Sequence, residues 1–298
     1  MTFETDRVSG STDVALGFLH ALERWIDVDT SSSAPALHAA LLPWLRAAQA
    51  AQPTMALVHR LAGRAVEVSR TALAREASRA DVRRALAESC AAERADLAAQ
   101  QQALARVAVE LIAEREAWVA TLSASAAVRN ALLLAHKLGR APRALVSESR
   151  PMLEGQGLAK ALGAAGIPVW LVVDAALPML LSGARQVWLG ADAVTDRGVI
   201  NKIGSYALAL AAREQSVPVH VLAIRSKFLP SATAALRIAE LDPALVWREP
   251  PPNVRPRNVG FELVPFELIR GVVVEDGVLG ASEARIVALD RPLPEELA

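Results

Sequence analysis

The spacing of hydrophobic residues changes near residue 118. Before that point apolar residues recur every three or four positions, as Val14, Phe18 and Leu22 do, which is the spacing of an amphipathic helix. From Asp81 to Trp118 the sequence contains neither Gly nor Pro, which predicts one long helix or two nearly continuous ones. We therefore expect residues 12–118 to be helical throughout.

After residue 118, short β-branched runs alternate with segments of helix length. The runs that predict strands are Val119–Leu122, Ala144–Ser147, Val169–Val173, Val187–Leu189 and Val219–Ile224. The segments between them that predict helices are Ala126–Leu138, Gly155–Ala165, Ala175–Leu181 and Lys202–Gln215. Glu249–Pro256 is rich in proline and predicts a loop, and the candidate closing strands beyond it are Val272–Val274 and Ile286–Leu289. Such alternation indicates a parallel sheet with helices on its faces.

The predicted fold is therefore α/β, with two domains. Residues 1–118 form an N-terminal helical domain, and residues 119–298 form a doubly wound, Rossmann-like parallel-sheet domain. In open parallel sheets ligands bind where strands end and helices begin, so functional residues are expected at the carboxyl edge of the sheet.

Composition and charge argue against two classes of function, nucleic-acid binding and membrane binding. The 298 residues include 32 basic and 32 acidic side chains, so the formal net charge is zero. A protein that binds nucleic acid or an anionic membrane surface needs an excess of basic residues, and we expect neither partner here. The most apolar stretch, Ile167–Leu181, is too short to span a bilayer and is interrupted by prolines. We expect a soluble, cytoplasmic protein.

Several common site types lack their sequence signatures. The single cysteine, Cys90, excludes a disulfide framework and a multi-cysteine metal site, and the five histidines show no metal-ligand spacing. There is no Gly-x-Gly-x-x-Gly motif, no P-loop and no Gly-x-Ser-x-Gly. The sequence therefore predicts no metal and no cofactor.

The most informative segment follows the predicted strand that ends at Leu189. Asp192 lies just past that strand, where partial desolvation can raise a carboxyl pKa toward general acid or base work. Asn201 and Lys202 are predicted to open a helix, and a lysine beside free backbone N–H groups suits an anion. The alternative is that Asp192 caps a turn and Lys202 is solvated.

Three other segments follow predicted strands. Arg150 could bind a phosphate or sugar oxygen, or could pair with Glu148 or Asp174 as a structural ion pair. The hydroxyl-rich loop Thr121–Ser125 could hold phosphate through its backbone N–H groups, or could supply a serine cap to the next helix. Lys227 is either a solvated lysine or a member of the same cationic site.

Taken in order, these segments resemble one known family. The residues that carry the resemblance are Glu148–Pro151, Asp174–Ala176, Gly190–Asp192, Asn201–Ser205 and Lys227–Phe228. The family unites the alpha, beta and delta subunits of translation initiation factor 2B with methylthioribose-1-phosphate isomerase and ribose-1,5-bisphosphate isomerase. The resemblance is strong from about Thr121 to Phe228 and weaker beyond.

The resemblance implies a role for each candidate residue. Asp192 matches the isomerases' proton donor, and Ser123 stands where they place a catalytic cysteine, in a turn that reads Thr121-Leu122-Ser123 here. Asn201 and Lys202 match a pair that binds the phosphate or the sugar, and Lys227 matches a lysine that contacts substrate. The set of candidate substrate-binding residues is Ser125, Arg150, Glu154, Asn201, Lys202 and Lys227.

Three departures from the isomerases keep two hypotheses open. A serine hydroxyl at position 123 is a weaker acid and nucleophile than a thiol. Glu154 stands where the isomerases have a substrate-binding glutamine, and their N-terminal Arg-Gly loop has no clear counterpart among residues 50–65. The leading hypothesis is an aldose–ketose isomerase acting on a pentose 1-phosphate. The second is a catalytically silent regulatory or assembly subunit. The resemblance also implies a homodimer formed through the α/β domain.

Overall fold

The helical N-terminal region found in the computed structural model confirms the prediction from the sequence. The structure describes residues 2–6, 9–113 and 115–297. The first four helices are α1 Ser11–Val28, α2 Ala34–Ala51, α3 Ala56–Ala74 and α4 Arg79–Val109. Helix α4 begins with a capping box, in which Ser78 and Asp81 each accept a hydrogen bond from the other's backbone N–H. The helices are separated by short turns rather than continuous.

The remaining chain contains ten strands and four further α-helices within the described residues. The strands are β1 Trp118–Thr121, β2 Arg143–Ser147, β3 Val169–Val172, β4 Gln186–Leu189, β5 Ala193–Thr195, β6 Gly198–Lys202, β7 Val219–Leu222, β8 Phe261–Val264, β9 Gly271–Val274 and β10 Gly277–Leu279. The helices are α5 Ala126–Lys137, α6 Glu154–Ala164, α7 Ser205–Glu214 and α8 Ala281–Leu289.

Seven strands form one sheet, in the order β10-β9-β7-β4-β1-β2-β3. All neighbours run parallel except β9 and β10, which form an antiparallel pair. Strands β5, β6 and β8 form a separate antiparallel sheet. The α/β prediction is therefore confirmed, while the domain boundary at residue 118 stays a prediction.

Alternate residues of the parallel strands feed two hydrophobic cores, one on each face of the sheet. Val119 and Trp188 pack in the core that also contains the N-terminal helices. Their chain neighbours Ala120 and Val187 pack in the other core, together with residues of α7 and α8. The helical region is thus held against one face of the sheet by a continuous apolar core.

Three predicted elements are wrong. Ile286–Leu289 lies in helix α8, where Ala284 and Ala288 are buried four residues apart while Ile286 and Leu289 are exposed. Ala175–Leu181 forms two 3₁₀ turns instead of an α-helix, with Pro178 at the start of the second. Asn201 and Lys202 do not open a helix. They end strand β6, paired with Glu262 and Phe261 of β8, and α7 begins only at Ser205.

The strand order fixes where a ligand can bind. Strand β1 is followed along the chain by β2 and β3 on one side, and β4, β7 and β9 extend the sheet on the other. The carboxyl ends of β1 and β4 therefore mark the topological switch point, where the connecting chains diverge and leave a crevice. None of the helices that the structure describes has the length and apolarity needed to cross a membrane.

Candidate functional site

A pocket opens at this switch point, between the sheet and the helical region. Its cavity volume is about 170 Å³. The sheet side is lined by the segments that follow β1 and β4, Leu122–Ala126 and Gly190–Asp192. The helical side is lined by Ser9–Thr12 and Ala50–Met55. The predicted site segments therefore face a wall built by the N-terminal helices.

Asp192 lies at the centre of the sheet side and is 8% exposed. Its backbone is held on both flanks: its N–H donates to the carbonyl of Ile200 at 2.8 Å, and its carbonyl accepts from Ala56 N–H at 3.0 Å. Burial raises the pKa of the Asp192 carboxyl, and Glu154 adds to the increase, while Lys227 and Lys202 oppose it. A carboxyl with a raised pKa retains its proton to a higher pH and can donate it.

Lys227 approaches Asp192 from the 3₁₀ turn that follows β7. It is 3% exposed, and its Nζ donates to the Ala191 carbonyl at 2.6 Å. Burial lowers the pKa of Lys227 to about 8, although the nearby Asp192 favours the charged form. The lysine therefore keeps most of its charge at neutral pH and loses it as the pH rises beyond 8.

Glu154 and Lys202 form a buried ion pair in the pocket. Lys202 Nζ donates to Glu154 Oε1 at 2.5 Å, and the two side chains are 10% and 3% exposed, respectively. Glu154 is the first residue of α6, and Gly155 lets that helix start close to strand β2. A Cβ at position 155 would lie 1.8 Å from the carbonyl oxygen of Ser147. The glycine thus brings the Glu154 carboxylate to the lysine.

Asn201 lines the same end of the pocket and is 6% exposed. Its Nδ2 donates to Ser205 Oγ at 2.9 Å, and that hydroxyl donates to the Lys202 carbonyl at 2.5 Å. This chain of hydrogen bonds fixes the turn between β6 and α7. Asn201 and Lys202 thereby keep one orientation toward the cavity.

Ser123 and Ser125 lie in the loop between β1 and α5. Ser125 Oγ accepts from Val128 N–H at 3.4 Å and caps helix α5, so the capping alternative holds, and Ser125 also lines the pocket. Ser123 is half-buried, with its backbone N–H donating to Ser149 Oγ at 2.7 Å. Within the described residues its own hydroxyl forms no hydrogen bond, so no base activates it in this structure.

Arg150 is the one predicted site residue that does not line the pocket. It is exposed, and its backbone N–H donates to Asp174 Oδ2 at 2.7 Å. The other carboxylate oxygen, Asp174 Oδ1, accepts from Ser149 N–H at 2.8 Å. Asp174 therefore holds the backbone of this loop, and through Ser149 it supports the position of Ser123.

The helical wall and the mouth of the pocket were not predicted. Thr54 Oγ1 donates to the Arg237 carbonyl at 3.1 Å, and Arg237 N–H donates to the Pro53 carbonyl at 2.9 Å, so two distant segments close one side. The sequence carries one weak signal for this wall, the break at Pro53 between two helical patterns. Among the residues the structure describes, no group of three or more His, Cys, Asp or Glu side chains could hold a metal ion.

Comparison with known proteins gives a family match over most of the chain. The family model described as "Initiation factor 2 subunit family" matches residues 7–281. A Pyrococcus furiosus protein named for its likeness to subunit 2 of translation initiation factor eIF-2B is 37% identical over 162 residues, 54% of this chain and 57% of that protein. The ribose 1,5-bisphosphate isomerase of Archaeoglobus fulgidus is 35% identical over 172 residues, 56% of this chain and 55% of the enzyme.

A solved structure agrees over almost the whole length. The crystal structure of the Pyrococcus horikoshii OT3 translation initiation factor eIF-2B matches with a TM-score of 0.80 and 25% identity. The match covers 93% of this chain and 94% of that one. The chain thus shares the complete fold of that relative, whereas its sequence matches span little more than half the length of the two relatives named above.

Proposed function

The chain belongs to the initiation factor 2 subunit family, and from that premise we propose that its pocket binds a phosphorylated pentose and converts it from aldose to ketose. The observation that carries this proposal is the buried Asp192 carboxyl beside two lysines, Lys202 and Lys227, in a pocket at the switch point of the sheet. A carboxyl of raised pKa supplies a proton, and the cations suit an anionic sugar.

The chemistry required is a hydrogen shift within the sugar. In a pentose 1-phosphate the phosphate blocks the aldehyde. The ring C1–O bond therefore breaks and its oxygen takes a proton, a hydride moves from C2 to C1, and the C2 hydroxyl loses its proton, which oxidises C2 and reduces C1 without an external electron acceptor. In this proposal Asp192 acts as the acid and base, and its proton is retained because desolvation disfavours the carboxylate. Ser123 contributes a hydrogen-bonding hydroxyl, and the two lysines and Asn201 hold the phosphate or the sugar.

The direct test is turnover by the purified protein. Ribose 1,5-bisphosphate and methylthioribose 1-phosphate are incubated with it separately, and ketose formation is followed by NMR. We expect turnover of at least one of them by the wild-type protein and none by Asp192→Asn, a variant that keeps the size of the side chain. A wild-type rate no higher than that of Asp192→Asn would refute the catalytic part of the proposal.

A second candidate function is favoured by Ser123. Because its hydroxyl has no hydrogen-bonded base in the described structure, the protein could bind the sugar phosphate without converting it. It would then be a ligand-sensing regulatory or assembly subunit. Calorimetry that shows sugar-phosphate binding without turnover, or a stable protein partner recovered in a pull-down, would support this function over the first.

We also propose that two copies associate through the sheet edge at β3. Trp170, Leu171 and Val173 are 57%, 43% and 58% exposed there, and Met179, in the 3₁₀ turn Pro178–Gly183 that follows along the chain, is 72% exposed. Such a cluster beside an unpaired strand edge suits burial against a second copy. Sedimentation velocity should show a dimer for the wild-type protein and a monomer for Trp170→Asp, and a monomeric wild type would contradict the proposal.

A further inference from the structure

The pocket presents different charges at its two ends, and this difference bears on how a sugar phosphate would lie in it. We infer that the ligand binds with its sugar hydroxyls at the inner end, against Glu154, and its phosphate at the mouth, against Arg237. The inference rests on the proposed function, because it concerns the orientation of the same ligand. It makes Glu154 and Arg237 determinants of specificity.

At the inner end Lys202 is already neutralised, and Lys227 donates to the Ala191 carbonyl. The Lys202 ammonium is bound by the Glu154 carboxylate at 2.5 Å, and both side chains are buried. A phosphate placed against Lys202 would also face that carboxylate. Repulsion between like charges is strong where water is excluded. The inner end therefore disfavours the phosphate for as long as Glu154 carries its charge.

The same carboxylate is well suited to a hydroxyl. Glu154 lines the pocket, its side chain is 3% exposed, and its Oε2 has no hydrogen-bond partner among the residues that the structure describes. A buried acceptor without a donor is unfavourable, and a ligand that brings a donor relieves that cost. Sugar hydroxyls are such donors, whereas a fully ionised phosphate offers acceptors only. The unpaired oxygen thus selects the sugar end of the ligand.

At the mouth the situation is reversed. Arg237 lines the pocket from an exposed position and forms no ion pair with any residue that the structure describes. The two acidic residues nearby are engaged: Glu240 pairs with Arg257, and Asp6 Oδ1 accepts from Ser9 N–H at 2.9 Å. A guanidinium can bind phosphate oxygens in pairs.

The backbone of Arg237 is also fixed relative to the pocket. Its N–H donates to the Pro53 carbonyl, and its own carbonyl accepts from Thr54 Oγ1. The backbone of Arg237 is therefore anchored at the rim where the helical wall meets the mouth. An anion bound there would leave the rest of the ligand pointing toward Asp192 and Glu154.

Calorimetry with three probes tests this orientation. The probes are ribose 1-phosphate, ribose and inorganic phosphate, each titrated into the wild type, Arg237→Gln and Glu154→Gln. The matched control is Arg248→Gln, an exposed arginine of the same chain segment that does not line the pocket. Circular dichroism establishes that each variant is folded.

The expected pattern is specific to the two ends. Arg237→Gln should weaken the binding of ribose 1-phosphate and of inorganic phosphate at least tenfold and leave the binding of ribose unchanged, while Arg248→Gln should change nothing. Glu154→Gln releases Lys202, so the double variant Glu154→Gln/Arg237→Gln should regain phosphate binding that Arg237→Gln has lost. That recovery requires a folded pocket and cannot arise from misfolding.

Two results would overturn the inference, and they differ in what else they affect. If the wild type binds ribose 1-phosphate and Arg237→Gln binds it equally well, the orientation is wrong but the proposed function stands. If the wild type binds no sugar phosphate at all, the proposed function fails and the orientation fails with it.

Discussion

The two walls of the pocket differ in the kind of residue they supply. The sheet side and the turns after it contribute Glu154, Asp192, Lys202 and Lys227, all buried and ionisable. The helical wall, at Ser9–Thr12 and Ala50–Met55, contributes no ionisable side chain, and Asp6 is the ionisable residue that lines the pocket just before it. The buried ionisable side chains of the pocket are thus concentrated on one wall, and the other wall closes the cavity.

The difference follows from how each wall is built. Four loops from the ends of parallel strands converge at the switch point, so side chains far apart in sequence meet there without a shared element. The helical wall is made of a helix start and a turn between two helices, whose backbone groups are used in capping and in contacts to the sheet. One such contact is the Ala56 N–H donating to Asp192. The helical wall therefore positions the sheet wall's residues through its backbone.

The largest effect should come from the carboxyl on the sheet wall. Asp192→Asn keeps the shape of the side chain but cannot exchange a proton, so we expect isomerase turnover to fall by about 10²- to 10⁴-fold. Thermal denaturation of the variant, measured alongside, should show a folded protein. A loss of less than tenfold would move the acid–base role away from Asp192.

Lys227 gives the next effect, and its sign depends on pH. Because its pKa in the folded protein is about 8, its charge is lost as the pH rises past 8, and the binding of an anionic sugar should weaken between pH 7 and 9. Lys227→Met should bind about 10- to 100-fold more weakly at pH 7 and lose this pH dependence. Calorimetry at pH 7, 8 and 9 measures both.

Stability should respond to pH in the opposite direction. An unfolded lysine titrates near 10.5, so between pH 8 and 10.5 the unfolded chain holds a proton that the folded Lys227 has released. This group therefore contributes stability that increases with pH across that window. Urea unfolding gives the free energy of unfolding of the wild type and of Lys227→Met. The difference between the two should be smallest at pH 10 and largest near pH 7, where burying the charge costs most. An equal difference in the free energy of unfolding at both pH values would contradict the lowered pKa of Lys227.

The parallel sheet was predictable because its strands carry their own signal. The β-branched runs at Val119, Ala144, Val169, Val187 and Val219 all became strands within two residues of the predicted bounds. Strands β5 and β6 were missed, since β5 has only three residues and the two strands are joined by Asp196 and Arg197, which interrupt the apolar pattern. Asn201 and Lys202 were then assigned to a helix that begins three residues later.

The location of most site residues in the pocket could be predicted, because they follow predicted strands in the sequence. All the candidates except Arg150 line the pocket, although their roles remain predictions. The pairing of Glu154 with Lys202 could not be predicted, because the two residues are 48 positions apart and meet only through the close approach at Gly155. The helical wall could not be predicted from any charged pattern or motif in the sequence, since it lines the pocket with backbone and neutral side chains.

Gly155 links these observations, and its replacement should disturb the sheet wall alone. In Gly155→Ala the new Cβ would meet the Ser147 carbonyl at 1.8 Å, so helix α6 must move and carry Glu154 away from Lys202. We expect a loss of about 1–3 kcal/mol in the free energy of unfolding. Gly157→Ala, where a Cβ meets no atom within 4 Å, is the matched control and should not destabilise the protein. Equal urea midpoints for the two variants would contradict the close approach.

The smallest effect should come from the helical wall. Thr54 is 4% exposed, and its hydroxyl donates a hydrogen bond to the Arg237 carbonyl rather than to any proposed reacting group. Thr54→Val keeps the side-chain shape and removes that hydrogen bond, so the free energy of unfolding should fall by about 0.5–1.5 kcal/mol. Turnover should stay within about twofold of the wild type, because no charge or proton donor is lost. Urea unfolding and the NMR assay measure the two quantities. A tenfold loss of turnover in a stably folded Thr54→Val would show that the helical wall takes part in the chemistry. The contrast between a chemically active sheet wall and an inactive helical wall would then be wrong.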